Sequence, residues 1–104
     1  MSDRLEQLHK LHDADPTDAE LPYMIAFELT KTGQTTEAID WLDKALALDP
    51  GFHYAYFQKA KVLDREGETD DALAVLDAGI AKASADGAAK AVGELQDLRQ
   101  IIGG

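Results

Sequence analysis

Two consecutive stretches of equal length decide the fold: AELPYMIAFELTKTGQTTEAIDWLDKALALDPGF at residues 19–52 and HYAYFQKAKVLDREGETDDALAVLDAGIAKASAD at residues 53–86. Small residues, leucines and glycines recur at an interval of 34, as in Ala26 and Ala60 or Leu42 and Leu76. A fixed period of this length is the signature of a repeat protein, in which each period is one supersecondary unit. We therefore predict two structurally equivalent units.

Each stretch reads as a helix, a short turn and a second, antiparallel helix. Its apolar residues lie at the three- and four-residue spacing of a helix face. Gly33 and Gly67 each follow a helix whose last turn carries a basic residue, which is typical of a helix C-terminus. Thr35 and Thr69 follow these glycines and are candidate N-caps of the next helices. Small residues let the two backbones approach to about 8–10 Å. The predicted repeat core comprises Ile25, Ala26, Leu29, Gly33, Ala38, Leu42, Ala45, Ala60, Leu63, Gly67, Ala72, Leu76 and Gly79.

The residue types and spacing resemble the tetratricopeptide repeat family. The family pattern of large, small and proline positions matches Pro22, Ile25, Ala26, Leu29, Ala38, Leu42 and Pro50 in the first stretch. In the second stretch it matches Tyr56, Lys59, Ala60, Leu63, Ala72, Leu76 and Ser84. Pro22 replaces a bulky residue and is expected in the first helical turn, where a missing N–H is tolerated. Lys59 is expected to lay its stem along the core, and Ser84, in place of proline, is expected in a linker.

Helices are also predicted on both sides of the repeats. Residues 3–13 carry leucines in register with the second helix of a unit, and residues 88–102 carry an apolar stripe typical of a capping helix. That stripe consists of Ala91, Leu95, Leu98 and Ile102. The predicted fold is therefore all-α: a single domain over residues 1–104 with six helices. The family resemblance implies that the helical hairpins form a right-handed solenoid.

Charge and composition limit the partners. The net charge is -10, which opposes binding to nucleic acid or to an anionic membrane surface, although surplus acid also simply favours solubility. There are no cysteines, which excludes disulfides and thiolate metal sites. No apolar run approaches the ~20 residues that span a bilayer, and residues 1–4 lack the apolar core of a secretory signal. A cytoplasmic protein is expected.

The candidate binding surface lies on the first helix of each pair, because stacked pairs curve with that helix on the concave side. The resemblance points to the same positions as ligand contacts. Clustered exposed aromatics favour a partner that covers them. We therefore expect a protein or peptide to bind in a concave aromatic groove, with Lys61 placed to take an acidic group. The candidate residues are Glu20, Tyr23, Phe27, Thr30, Lys31, Tyr54, Phe57, Lys61 and Asp64.

Two alternatives use the same aromatic surface. The C-terminal helix could cover it, or a second copy could, which would make the protein a self-associating structural homodimer. A third possibility is weaker: some family members clamp the free carboxylates of chaperone tails with lysines and asparagines. This chain has no asparagine, and Tyr23 and Phe27 stand at two of the clamp positions, so we do not expect a chaperone-tail receptor.

No residue pattern points to catalysis or a cofactor, so neither an enzyme nor a metal site is predicted. His9 and Asp13 have the spacing of two metal ligands, but His9 and His12 are expected to be solvated surface groups. His53 has no evident partner in the sequence. Trp41 is expected to pack partly against the neighbouring helix pair, with an exposed contact patch as the alternative. The abundant carboxylates are expected to be solvated.

Overall fold

Residues 3–103 are described by the computed structural model, and they form six α-helices without any strand. The helices are α1 (Asp3–Ala14), α2 (Glu20–Lys31), α3 (Thr35–Leu48), α4 (His53–Arg65), α5 (Thr69–Ala85) and α6 (Ala89–Gly103). The all-α prediction with two hairpins and two flanking helices is confirmed over this range. Met1, Ser2 and Gly104, which belong to the predicted domain, lie outside it.

The chain divides into two compact units, Met1–Phe52 and His53–Gly104. In the first unit, α2 and α3 form the hairpin and α1 packs against α2. In the second, α4 and α5 form the hairpin and α6 packs against both of them. Each unit is therefore one repeat hairpin with a third helix. Within residues 3–103, no helix combines the length and the apolar character that crossing a bilayer requires.

Three glycines end helices in the same way. Gly33, Gly67 and Gly87 have φ values of 76°, 80° and 70°, the left-handed region that glycine adopts without steric cost. In each case the residue after the glycine donates its N–H to a carbonyl five residues back, at Leu29, Leu63 or Ala83, over 2.9–3.0 Å. This is the Schellman pattern of a helix C-terminus. The prediction at positions 33 and 67 is confirmed, and Gly87 repeats the turn outside the 34-residue period.

The predicted N-caps are displaced by one residue. Thr35 and Thr69 are the first helical residues, and the cap positions belong to Gln34 and Glu68, which make no side-chain capping bond. Their carbonyls accept the first N–H bonds of the next helix, at 3.0 and 2.9 Å. Because the same two residues also close the preceding Schellman turn, the next helix begins directly after it.

Each core combines residues of the repeat pattern with residues of the third helix. Of the predicted repeat core, Gly33 and Gly67 are exposed at the turns and Leu63 is half-buried, whereas the others are buried. In the first unit the buried side chains are Leu8, Pro22, Ile25, Ala26, Leu29, Ala38, Leu42 and Ala45. The core cluster of the second unit comprises Ala60, Ala72, Leu76, Ala83, Ala91, Leu95 and Leu98. Pro22 lies in the first turn of α2, as predicted, and Lys59 is half-buried. These side chains supply most of the apolar burial that stabilises each hairpin.

A close approach between helices occurs at Gly79, in the middle of α5. A Cβ atom at this position would lie 2.8 Å from Cβ of Tyr56 on α4 and 3.4 Å from Cδ1 of Leu95 on α6. Only a residue without a side chain fits between these two neighbours. Ser84, which was expected in a linker, is instead exposed in the last turn of α5. The linker prediction was wrong because alanines around Ser84 favour the helix and no proline stops it.

Candidate functional site

On α2, the candidate binding residues differ in exposure. Phe27 is 44% exposed, and the ammonium of Lys31 lies 5.1 Å from the centre of its ring. Tyr23 is half-buried because its ring stacks on Phe52, with the centroids 4.7 Å apart. The hydroxyl of Thr30 donates to the carbonyl of Phe27 at 2.6 Å, so it is occupied by its own helix. The first unit therefore presents one open aromatic ring and one that is partly covered by its own chain.

On α4, Tyr54 is 42% exposed, whereas Phe57 is half-buried. Phe57 packs against the core cluster of the second unit, to which α6 contributes Ala91, Leu95 and Leu98. The ammonium of Lys61 lies 5.8 Å from the centre of the Phe57 ring, and both Lys61 and Asp64 are exposed. Within this unit Phe57 is thus partly covered by the shared core of its three helices.

A shallow open cavity of about 240 Å³ lies between α4 and α6. Phe57 lines it on the α4 side, and four residues of α6 line the other side: Glu94, Asp97, Leu98 and Ile101. These four follow the i, i+3, i+4, i+7 spacing of one helix face. Of these four residues only Leu98 was predicted from the sequence, as a core residue. Ile101, an isoleucine outside the core stripe of α6, was the signal that could have revealed the cavity.

A polar cluster joins the start of α4 to the end of α5. Nε2 of His53 lies 2.8 Å from Oδ2 of Asp86, and Nζ of Lys82 lies 3.2 Å from Oδ1 of the same carboxylate. The hydrogen bond from His53, and next that from Lys82, lowers the pKa of Asp86. The expectation that His53 has no partner was wrong, because the partner lies 33 residues away in the sequence.

A second carboxylate is held by an ion pair between α5 and α6. Nε of Arg99 donates to Oδ1 of Asp77 at 2.6 Å. This hydrogen bond lowers the pKa of Asp77 and raises that of Arg99. Both acids with shifted pKa values are therefore held in the ionised form, the opposite of what a general acid requires.

Trp41 forms an aromatic cluster with α1. The rings of His9 and His12 meet it edge-on, each with its centroid 5.3 Å away, and Nζ of Lys44 lies 4.4 Å from its ring centre. Both histidines are half-buried, so the expectation that they are solvated was wrong. Between residues 3 and 103, no group of three or more potential ligands is positioned to hold a metal ion.

Comparison with known proteins agrees with this architecture. The family model for the tetratricopeptide repeat matches residues 29–93. A relative in rice, Oryza sativa subsp. japonica, described as "Protein SGT1 homolog", is 39% identical over 74 residues, or 71% of this chain. The chain spans only 20% of the length of the rice protein.

Solved structures show the same fold. The TPR2B domain of yeast Sti1, in its pHsp70 complex, superposes with a TM-score of 0.87 at 27% identity, over 95% of this chain and 79% of that one. A tetratricopeptide repeat domain protein from Salinibacter ruber gives a TM-score of 0.77 at 30% identity, over 85% and 89% of the two chains. With its two hairpins, its glycine turns and the matching family model, this chain belongs to the tetratricopeptide repeat family.

Proposed function

We propose that this protein is an interaction module that binds a peptide or helix of a protein partner through the aromatic side chains of α2 and α4. The observation that carries the proposal is the exposure of Phe27 and Tyr54, at 44% and 42%, on the first helices of the two repeats. Large aromatic side chains are costly to leave in water and often dominate binding energy at interfaces. Membership of a family of repeat proteins that present extended binding surfaces supports the same function.

The remaining candidate residues have distinct proposed roles. Tyr23 and Phe57 are half-buried and provide the edge of the apolar surface in their own units. Asp64 contributes a polar contact beside it, and Thr30, whose hydroxyl proton is donated to its own helix, can only accept a hydrogen bond. The ammonium of Lys61 is exposed next to Phe57 and is available to a carboxylate of the partner. That these side chains line one concave groove remains a prediction.

Binding, rather than catalysis, is the proposed activity. The carboxylates of Asp77 and Asp86 are paired with cations that lower their pKa values, which favours structural roles for both. We do not propose that this chain binds the pHsp70 partner of the yeast domain. Some members of the family clamp free carboxylates with lysines and asparagines. By its resemblance to the family, this chain has Tyr23 and Phe27 at two of those clamp positions instead.

The proposal is tested by affinity capture from the native cell extract with the double variant Phe27→Ala, Tyr54→Ala. Both side chains are exposed, so the variant is expected to fold. We expect at least one protein that the unmodified chain retains to be lost by about tenfold or more, since aromatic hot spots each contribute about 2 kcal/mol or more.

The matched control is Leu11→Ala, Leu48→Ala, which removes two exposed apolar side chains from α1 and α3. The control is expected to retain the same proteins as the unmodified chain. If both double variants retain the same set, the aromatic surface does not bind the partner and the proposal fails.

A further inference from the structure

The cavity between α4 and α6 has a lining that is both apolar and acidic. Phe57, Leu98 and Ile101 are its apolar residues, and Glu94 and Asp97, called the rim acids below, are its acidic ones. Ile101, at its end, is 78% exposed, more than any other large hydrophobic residue among those described. A bulky side chain left this open beside a cavity gains apolar contact only when another molecule covers it.

The two rim acids are available to a ligand. Neither Glu94 nor Asp97 takes part in an ion pair within residues 3–103, whereas the nearby Arg99 is already held by Asp77. Glu94 is half-buried at the cavity, and Asp97 is exposed. Their charges therefore point to a cationic ligand, and the net charge of -10 attracts such a ligand from a distance.

We propose that this cavity binds a partner segment in which a bulky apolar side chain is flanked by lysine or arginine. The apolar side chain would pack on Phe57, Leu98 and Ile101, and the basic groups would pair with Glu94 and Asp97. Long basic side chains suit this site because their stems cover apolar surface while their charged ends reach the acids. On the α4 side, Lys61 beside the Phe57 ring favours an uncharged or acidic group at that end of the segment.

This inference rests on the proposed function and names the chemistry of the partner. A partner with an acidic tail would place its carboxylates against Glu94 and Asp97, and like charges oppose binding. A second copy of this chain is disfavoured for the same reason, because each copy carries a charge of -10. Charge complementarity thus selects a basic segment of a different protein.

The experiment is a selection from a phage-displayed library of random twelve-residue peptides on the whole chain. We expect the enriched peptides to carry a net positive charge and a large apolar residue between basic ones. The affinity of a selected peptide is then measured by fluorescence polarisation with Glu94→Gln, Asp97→Asn and, separately, with Ile101→Ser. Exposed ion pairs are each modest in strength, so the double variant is expected to bind about fivefold more weakly.

The matched control is Asp70→Asn, Asp71→Asn, which makes the same change in net charge at the start of α5. It is expected to change the affinity by less than about twofold, because these charges act only at long range. Ile101→Ser is expected to weaken binding by about fivefold or more through the loss of buried apolar surface.

The outcomes separate this inference from the proposed function. Enrichment of acidic or uncharged peptides, or equal effects of the two acid variants, would overturn the inference and leave a peptide-binding module. Sedimentation that shows a dimer dissociated by Ile101→Ser would likewise overturn it, because the occupant would be a second copy. If no peptide is enriched, the inference fails together with the proposal that the protein binds short segments.

Discussion

The first unit places its third helix before the repeat hairpin, whereas the second places it after the hairpin. In the first unit, α1 buries Leu8, and its histidine rings meet the indole of Trp41 on α3. In the second, α6 contributes Leu95 and Leu98 to the core and lines an open cavity together with Phe57. The hairpins share one pattern, but the side chains of the third helices have different chemistry.

This difference shows that the buried positions are set by the repeat hairpin, whereas the environment of the aromatic residues is set by the segments beside it. Buried positions such as Leu42 and Leu76 are equivalent because both face inward within a hairpin. The aromatic residues of α2 and α4 are not equivalent, because they differ in what lies beside them: Phe52 stacks on Tyr23, and Phe57 lines a cavity opposite α6. The open cavity of the second unit therefore needs α6, which supplies its acids, in addition to Phe57 of the repeat.

The largest expected effect tests the equivalence of the hairpins. Leu42 and Leu76 are 1% and 0% exposed, and replacing either with alanine should cost about 2–5 kcal/mol through lost burial and a cavity. We expect the two losses to be similar when unfolding in urea is followed by circular dichroism. Leu48→Ala, at an exposed position on α3, serves as the control and should change stability by less than about 0.5 kcal/mol. Clearly unequal losses at positions 42 and 76 would show that the hairpins are not energetically equivalent.

An intermediate effect tests how closely the helices of the second unit pack. Gly79→Ala should be destabilising by about 1 kcal/mol or more, because the new methyl group would collide with Tyr56 near its backbone. Gly93→Ala on α6 meets no atom within 4 Å and should be stabilising by about 0.5–1 kcal/mol. Thermal unfolding of the two variants shows whether each substitution lowers or raises the stability of the protein. If both alanines stabilise the protein, α4 and α5 do not approach as closely as described.

The smallest expected effect is the pH dependence of the stability that the ion pairs of Asp77 and Asp86 contribute to the second unit. Folding lowers the pKa values of Asp77 and Asp86, so their contribution to stability is present above the unfolded pKa of about 3.9 and is lost as the pH falls through the folded values. The variant Asp77→Asn, Asp86→Asn should therefore have a lower urea midpoint than the unmodified chain at pH 7. The difference should shrink as the pH falls from the unfolded pKa of about 3.9 through the lower folded values, because the carboxylates then become protonated in both states.

The control for this prediction is Asp40→Asn, Asp71→Asn, which makes the same charge change at two acids that form no ion pair among the residues described. Its midpoint at pH 7 should differ less from that of the unmodified chain. A difference for Asp77→Asn, Asp86→Asn that is as large at pH 2 as at pH 7 would contradict an electrostatic origin.

Local regularities made the fold readable from the sequence. Gly33 and Gly67 marked the turns, and the alanine and leucine spacing marked the buried faces, because both depend on residues close in sequence. The contact of His53 with Asp86 was not readable, since it joins two helices whose relative rotation no local pattern specifies. Trp41 was expected to pack against a neighbouring helix pair, but the sequence did not identify the histidines of α1 as its neighbours. Gly87 was missed because it lies outside the 34-residue period, although its turn has the same geometry.

The shared geometry of the glycine turns makes their sequences exchangeable. A Cβ at Gly33, Gly67 or Gly87 would meet no atom within 4 Å, so these turns are shaped by backbone bonds and not by neighbouring side chains. The segments KTGQ at 31–34 and REGE at 65–68 can accordingly be regarded as exchangeable in their backbone, with Lys31 kept or replaced by another cation because it contacts Phe27 and Glu28. ADGA at 85–88 has the same backbone, but its aspartate also binds His53 and Lys82, so a replacement there must keep that residue.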